Sequence, residues 1–90
     1  MKERRIEIVN RLGLHARAAA KLVHKASEFE SEITIAGNGS EEADAKSILG
    51  ILLLAAAQGT EVTIRCDGSD EDQAMAALVE LIEDRFGEGE

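Results

Sequence analysis

Ninety residues, 44% of them apolar, suit one compact domain, since a chain this short buries too little surface to divide between two cores. The formal charge of −8 excludes a general nucleic-acid binder, which needs a broad basic surface, and the single cysteine, Cys66, excludes an internal disulfide. The opening MKERRIEIVN carries charges where a secretory leader needs an apolar stretch, and the longest apolar run, Ile51 to Ala57 with Ile48 and Leu49 ahead of it, falls short of the ~20 residues that span a bilayer. The expectation is a single cytoplasmic domain over residues 1–90, monomeric, without membrane or nucleic-acid contacts, with residues 87–90 as a frayed acidic tail.

Ile6 and Ile8 alternate with Arg5, Glu7 and Val9, which predicts a strand with one buried face ending at Asn10. From Ala16 to about Phe29, Ala19, Leu22, Val23, Ala26 and Phe29 recur at helical spacing while Arg17, Lys21, His24 and Lys25 line another face. That pattern is an amphipathic helix with a basic outer side. Ile33 and Ile35 mark a second strand, Asn38-Gly39 a hairpin turn, and Glu41 to Ala45 a weaker third strand. Ser47 offers an N-cap to a second helix through Ala57, with Gly59 placed to end it. Val62, Ile64 and Cys66 alternate with Thr63 and Arg65 as a fourth strand, and Ser69 is placed to cap a last helix striped by Met75, Leu78, Val79, Ile82 and Phe86. The order βαββαβα with short connections predicts an α+β fold: a four-stranded antiparallel sheet with three helices packed on one face, an open-faced sandwich.

The charge is unevenly distributed. Between Ile8 and Ser27 lie Arg11, Arg17, Lys21 and Lys25 and no carboxylate, so in this acidic chain the start of the first helix is either a solvated basic face or a site for an anionic group or acidic partner. His15 falls at or next to the N-cap of that helix. There the first-turn amides and the positive end of the helix dipole disfavour an imidazolium and favour a bound phosphoryl group, which the first-turn guanidinium of Arg17 can reach. Taken alone, such a histidine can also be a plain polar turn residue.

The segment Gly13-Leu14-His15-Ala16-Arg17, with Asn10 before it and Ala19-Ala20-Lys21-Leu22-Val23 after it, resembles the active site of the HPr family, the histidine phosphocarriers of the bacterial phosphoenolpyruvate-dependent phosphotransferase system. A second stretch, Lys46-Ser47-Ile48-Leu49-Gly50-Ile51, followed by Ala56-Ala57-Gln58-Gly59, resembles the family's regulatory-serine helix. The resemblance implies that His15 accepts a phosphoryl group through Nδ1 with Arg17 assisting, and that the helix start Ala16-Arg17-Ala18 stabilises it. It implies enzyme I as donor, IIA-type proteins as acceptors, and a serine kinase or phosphatase acting on Ser47. Ala18 stands where the family commonly has proline, a departure compatible with a regulatory, nitrogen-related relay in place of sugar uptake.

Ile48, Leu49, Ile51 and Leu52 are core, docking surface or both; with Lys21, His24 and Lys46 they make up the expected docking face. Cys66 reads as a small apolar strand residue, and Asp67 to Asp72 departs from the EF-hand pattern. No metal or cofactor is expected. Phe29 and Phe86, the only aromatics, fall in helical stripes and not on strands where bases stack, which argues against an RNA-binding sheet. No second acid–base group lies near His15 in the sequence, so the chain reads as a stoichiometric carrier and not an enzyme. The alternative is a non-catalytic anion- or ligand-sensing module.

Overall fold

Alternating apolar residues become strands and helically spaced ones become helices throughout a computed structural model that describes residues 1–37 and 42–88. In chain order the elements are β1 (Lys2–Glu7), α1 (Ala16–Ala26), β2 (Glu32–Gly37), β3 (Ala43–Asp44), α2 (Ile48–Leu54), β4 (Glu61–Asp67), α3 (Glu71–Glu83) and a short 3-10 turn (Arg85–Gly87). The strands form one antiparallel sheet, as the sequence pattern predicts, and the structure sets their order as β1-β4-β2-β3. The register runs from Lys2 opposite Cys66 to Glu7 opposite Glu61 on one side of β4, and from Glu32 opposite Asp67 to Gly37 opposite Val62 on the other.

One face of the sheet supplies Ile6, Ile33, Ile35, Val62, Ile64 and Cys66 to the core, where they meet Ala18, Ala19, Leu22 and Ala26 of α1, Ile51 of α2 and Ala74, Leu78, Val79 and Ile82 of α3. Each large aliphatic side chain buried this way contributes about 1.5–3 kcal/mol. Burial holds the Cys66 thiol above its ordinary range, as suits a packing residue. Lys2 and Arg4 share the face of Ile6 and reach across to Asp72 and Glu83 of α3, covering the near end of the core.

Several boundaries differ from the sequence reading, one for a local reason and the others for tertiary ones. α1 stops at Ala26 and not near Phe29: Ser27 turns its hydroxyl back to the Val23 carbonyl, and Glu28 and Phe29 continue in i→i+3 turns. α2 ends at Leu54, well before Ala57, because Ala55 adopts a left-handed conformation (φ 53°) and the Ala56 carbonyl accepts the Leu14 amide. Gly59 (φ +88°) therefore belongs to the turn into β4 and not to a helix cap. The N-cap of α3 is Asp70, not Ser69; its carboxylate leaves the helix and accepts from the Glu30 amide and from the amide and hydroxyl of Ser31. Those bonds, the Ser31 hydroxyl first, hold the Asp70 carboxyl below its ordinary range. The Asn38-Gly39 turn lies outside the described residues, and the third strand contracts to Ala43–Asp44.

The chain end departs most. Phe86 is core, as its spacing implies, but it arrives there after α3 has ended: Arg85 and Phe86 both adopt φ 54°, and the turn folds the ring inward to 1% exposure. Each left-handed residue costs roughly 1–2 kcal/mol, a sum that burial of the phenyl ring and the contacts of the next residues offset. Gly87 and Glu88 are consequently placed against the fold, so the expected fraying does not extend to them; residues 89 and 90 lie outside the described residues.

Candidate functional site

Asn10, just past β1, is fully buried, and its amide nitrogen donates to the Gly13 carbonyl (2.8 Å) and to Glu88 Oε1 (3.0 Å). The Gly13 amide returns a bond to the Asn10 carbonyl (3.1 Å), closing a tight turn. Gly13 sits at φ +66°, and a Cβ there would lie 2.5 Å from the Ala56 carbonyl oxygen, so glycine is required by conformation and by space. The next amide, Leu14, donates to that carbonyl (2.8 Å) while the leucine side chain plugs into the core. The loop is thus pinned to the end of α2, and the following residue is delivered in extended conformation as the N-cap of α1.

That residue is His15. Its Nδ1 accepts the Arg17 amide at 3.3 Å, and its carbonyl accepts the Ala19 amide at 2.8 Å. A backbone amide can only donate, so Nδ1 carries the lone pair and the ring proton resides on Nε2. Nε2 faces the carboxylate of Glu88, whose Oε2 receives it. Burial alone would push the Glu88 carboxyl up, but the hydrogen bonds from Asn10 and His15, with the nearby charge of Lys21, outweigh it and hold the group below its ordinary range. Lys21 donates to the Phe86 carbonyl (2.6 Å), tying α1 to the turn that presents Glu88. Around the imidazole lies an open cleft of about 580 Å³ lined by Arg11, Leu12, Ala16, Arg17, Lys21 and Gly87 as well as His15 and Glu88.

The arrangement provides a neutral imidazole with an available nitrogen at a helix start, flanked by guanidinium groups, in an open cleft. It suits nucleophilic capture of a phosphoryl group and its release to a second acceptor. Among the described residues no three His, Cys, Asp or Glu side chains converge to hold a metal ion, and no helix is long and apolar enough to cross a membrane.

His15, Ala16, Arg17 and Lys21 meet at the cleft, whereas the Ala18 side chain is fully buried, leaving only its backbone to face an anion. His24 is exposed on α1. Ser47 caps α2, its hydroxyl accepting the Gly50 amide at 3.2 Å. Ile48, Leu49 and Leu52 are exposed at 42%, 63% and 38%, but Ile51 is at 0% and is core, so it leaves the docking set: helical spacing turns it inward when its neighbours turn out. Leu53 (75%) joins the exposed face of α2, unnoticed in a helix whose sequence is apolar on every side. The ammonium of Lys46 reaches the Phe29 carbonyl (2.7 Å) and staples the end of α1 to the start of α2, so it is not a free docking cation. Glu88 is the residue the sequence reading missed; it lies 73 positions from His15, and no local pattern connects the two.

A family model described as the PTS HPr component phosphorylation site matches residues 2–84. Phosphocarrier protein HPr of Cupriavidus necator is 52% identical over the full length of both chains. Phosphocarrier protein NPr of Shewanella violacea is 46% identical over 96% of this chain and 93% of its own. Among solved structures, HPr from Thermoanaerobacter tengcongensis shares 49% of its residues, covers 98% of each chain and superposes with a TM-score of 0.93. Sequence and fold agree from end to end: the chain belongs to the HPr family of histidine phosphocarriers of the bacterial phosphotransferase system.

Proposed function

We propose that the chain accepts a phosphoryl group from phosphorylated enzyme I on Nδ1 of His15 and hands it to IIA-type proteins. The observation that carries this reading is the state of His15: Nδ1 keeps its lone pair at the first turn of α1, beside the Arg17 amide, in a cleft lined by Arg11 and Arg17. Arriving phosphoryl oxygens meet first-turn amide dipoles and the fork of Arg17, which strengthen as charge shifts onto them. The group is held firmly enough to form, and openly enough to leave.

Partner recognition falls to the exposed leucine-rich face of α2, with Ile48, Leu49, Leu52 and Leu53, alongside Arg17 at the start of α1 and His24 in its last turn. An apolar patch rimmed by cations lets one surface serve a donor and several acceptors in turn. Ser47, at the edge of that patch, is the proposed regulatory site for a serine kinase and phosphatase. Phosphorylation there adds negative charge where an acidic partner docks. The protein acts as a cytoplasmic monomer in sugar uptake or in a nitrogen-related regulatory relay.

The test is incubation with phosphoenolpyruvate and enzyme I, followed by intact mass after acid and after alkali. One acid-labile, base-stable phosphoryl group is expected in wild type and in His24→Ala, and none in His15→Ala. A label that survives in His15→Ala overturns the assignment.

A further inference from the structure

We propose that Glu88 is a positioning residue for the transfer: its carboxylate, clamped between Asn10 and His15, holds the proton on Nε2, aims Nδ1 into the cleft and balances the ring's charge while Nδ1 carries the phosphoryl group. This rests on the phosphocarrier reading and extends it to a residue outside the matched family segment, residues 2–84.

Glu88 has the marks of a built contact. Its side chain is only 11% exposed, and a carboxylate so far withdrawn from water is costly unless paired. Each oxygen has its own donor: Oε1 takes the buried Asn10 amide at 3.0 Å and Oε2 takes His15 Nε2. Asn10 cannot drift, since its other amide hydrogen is spent on the Gly13 carbonyl. The turn that delivers the carboxylate is held independently, by burial of Phe86 and by Lys21 on the Phe86 carbonyl. Facing the imidazole are Arg11 from the loop, Arg17 and Lys21 from α1 and Glu88 from the chain end, so among the described cleft residues Glu88 is the one anion.

The chemistry balances without a proton leaving the ring. The Nδ1 lone pair forms the nitrogen–phosphorus bond as the bond from phosphorus to the donor breaks, its electron pair returning to the donor. His15 is then a phosphoimidazolium with its proton still on Nε2 against the carboxylate. In the second transfer a nucleophilic atom of the acceptor bonds to phosphorus as the nitrogen–phosphorus bond breaks, the pair returns to Nδ1, and the leaving group is a neutral imidazole and not an imidazolate. Glu88 orients the nucleophile as a triad carboxylate orients its histidine, without touching the reacting phosphorus.

Glu88→Gln is the informative variant. Gln keeps the shape but sets an amide NH₂ against one of the two donors, so either Asn10 or His15 loses its acceptor. Wild type, Glu88→Gln, Glu88→Ala and the surface control Glu83→Gln are compared in two measurements. Proton–nitrogen NMR should show an exchange-protected Nε2–H of His15 in wild type and Glu83→Gln, and lose it in Glu88→Ala. Rapid-quench transfer from phosphorylated enzyme I should slow roughly tenfold at saturating donor in both Glu88 variants, with KM within about twofold, the scale of one charge-assisted hydrogen bond. If wild type takes no phosphoryl group, the phosphocarrier reading falls and this inference with it. If wild type is labelled but the Glu88 variants keep both the Nε2–H signal and the rate, the inference alone falls. Slower transfer expressed only in KM, or with an intact Nε2–H signal, assigns Glu88 to docking and overturns the positioning role.

Discussion

Replacing Gly13 with alanine tests the loop that carries His15. The new methyl would lie 2.5 Å from the Ala56 carbonyl oxygen and 2.8 Å from the Ala57 Cα, both backbone atoms that cannot rotate away. At φ +66° alanine costs roughly 1–2 kcal/mol. Relief of the clash requires the loop to move off α2, which breaks the Leu14–Ala56 hydrogen bond (2.8 Å), worth about 0.5–1.5 kcal/mol. Lower entropy of the unfolded chain returns about 0.4–1 kcal/mol, leaving a net loss of about 0.5–3 kcal/mol. For a domain of this size that lowers Tm by about 2–24 °C. Urea and thermal unfolding followed by circular dichroism would measure it, together with the rate of phosphoryl acceptance, which should fall because the N-cap geometry of His15 depends on the loop. A Gly13→Ala protein with unchanged Tm and unchanged acceptance would refute the claim that close packing against α2 sets the site.

Arg17→Ala should slow transfer by one to two orders of magnitude without loss of stability, since an exposed guanidinium contributes about 1.5–3 kcal/mol through charge-assisted bonds formed in flight; Arg17→Lys should recover part, and unchanged rapid-quench rates in Arg17→Ala would make the arginine a bystander. Ser47→Asp should keep its Tm, because aspartate can accept the Gly50 amide as serine does, yet bind enzyme I more weakly than wild type, with the deficit shrinking at high salt; titrations with affinities equal to wild type would refute it. Asp70 and Glu88 have carboxyls held below their ordinary range in the folded protein, so they stabilise the fold above that range and the contribution is lost as pH falls through their folded values. Tm should therefore decline below about pH 4, and less steeply in Asp70→Asn; parallel profiles for wild type and variant would contradict the role given to the Ser31–Asp70 bonds.

What could be read from the sequence was what is decided within a few residues. His15 and Arg17 are two positions apart, Ser47 and Gly50 three, and each pair forms its contact inside one turn of helix, so motif and chemistry coincide. The strands were equally legible, because Ile33, Ile35, Val62 and Ile64 alternate and a sheet buries alternate residues. Apart from the local turn that ends α1 at Ala26, the failures come from partners far along the chain or from tertiary packing. Ala55 looks helical and is forced left-handed by a carbonyl that Leu14 claims; Asp70, not Ser69, begins α3 yet spends its carboxylate on Ser31, 39 positions earlier. Ile51 and Leu53 differ only in which way a uniformly apolar helix is turned, which tertiary packing alone decides. Glu88 sits in an acidic, glycine-rich end whose composition suggests fraying; only the inward fold of Phe86 and the grip of Lys21 bring it to His15.

The account turns on which nitrogen of which histidine receives the phosphoryl group. Protein labelled with nitrogen-15 and phosphorylated by phosphoenolpyruvate and enzyme I can be read by phosphorus–nitrogen coupling in NMR. Coupling to Nδ1 of His15, with the proton retained on Nε2, is the predicted result. Coupling to Nε2 of His15, a label on His24, or no nitrogen-bound phosphorus would contradict it.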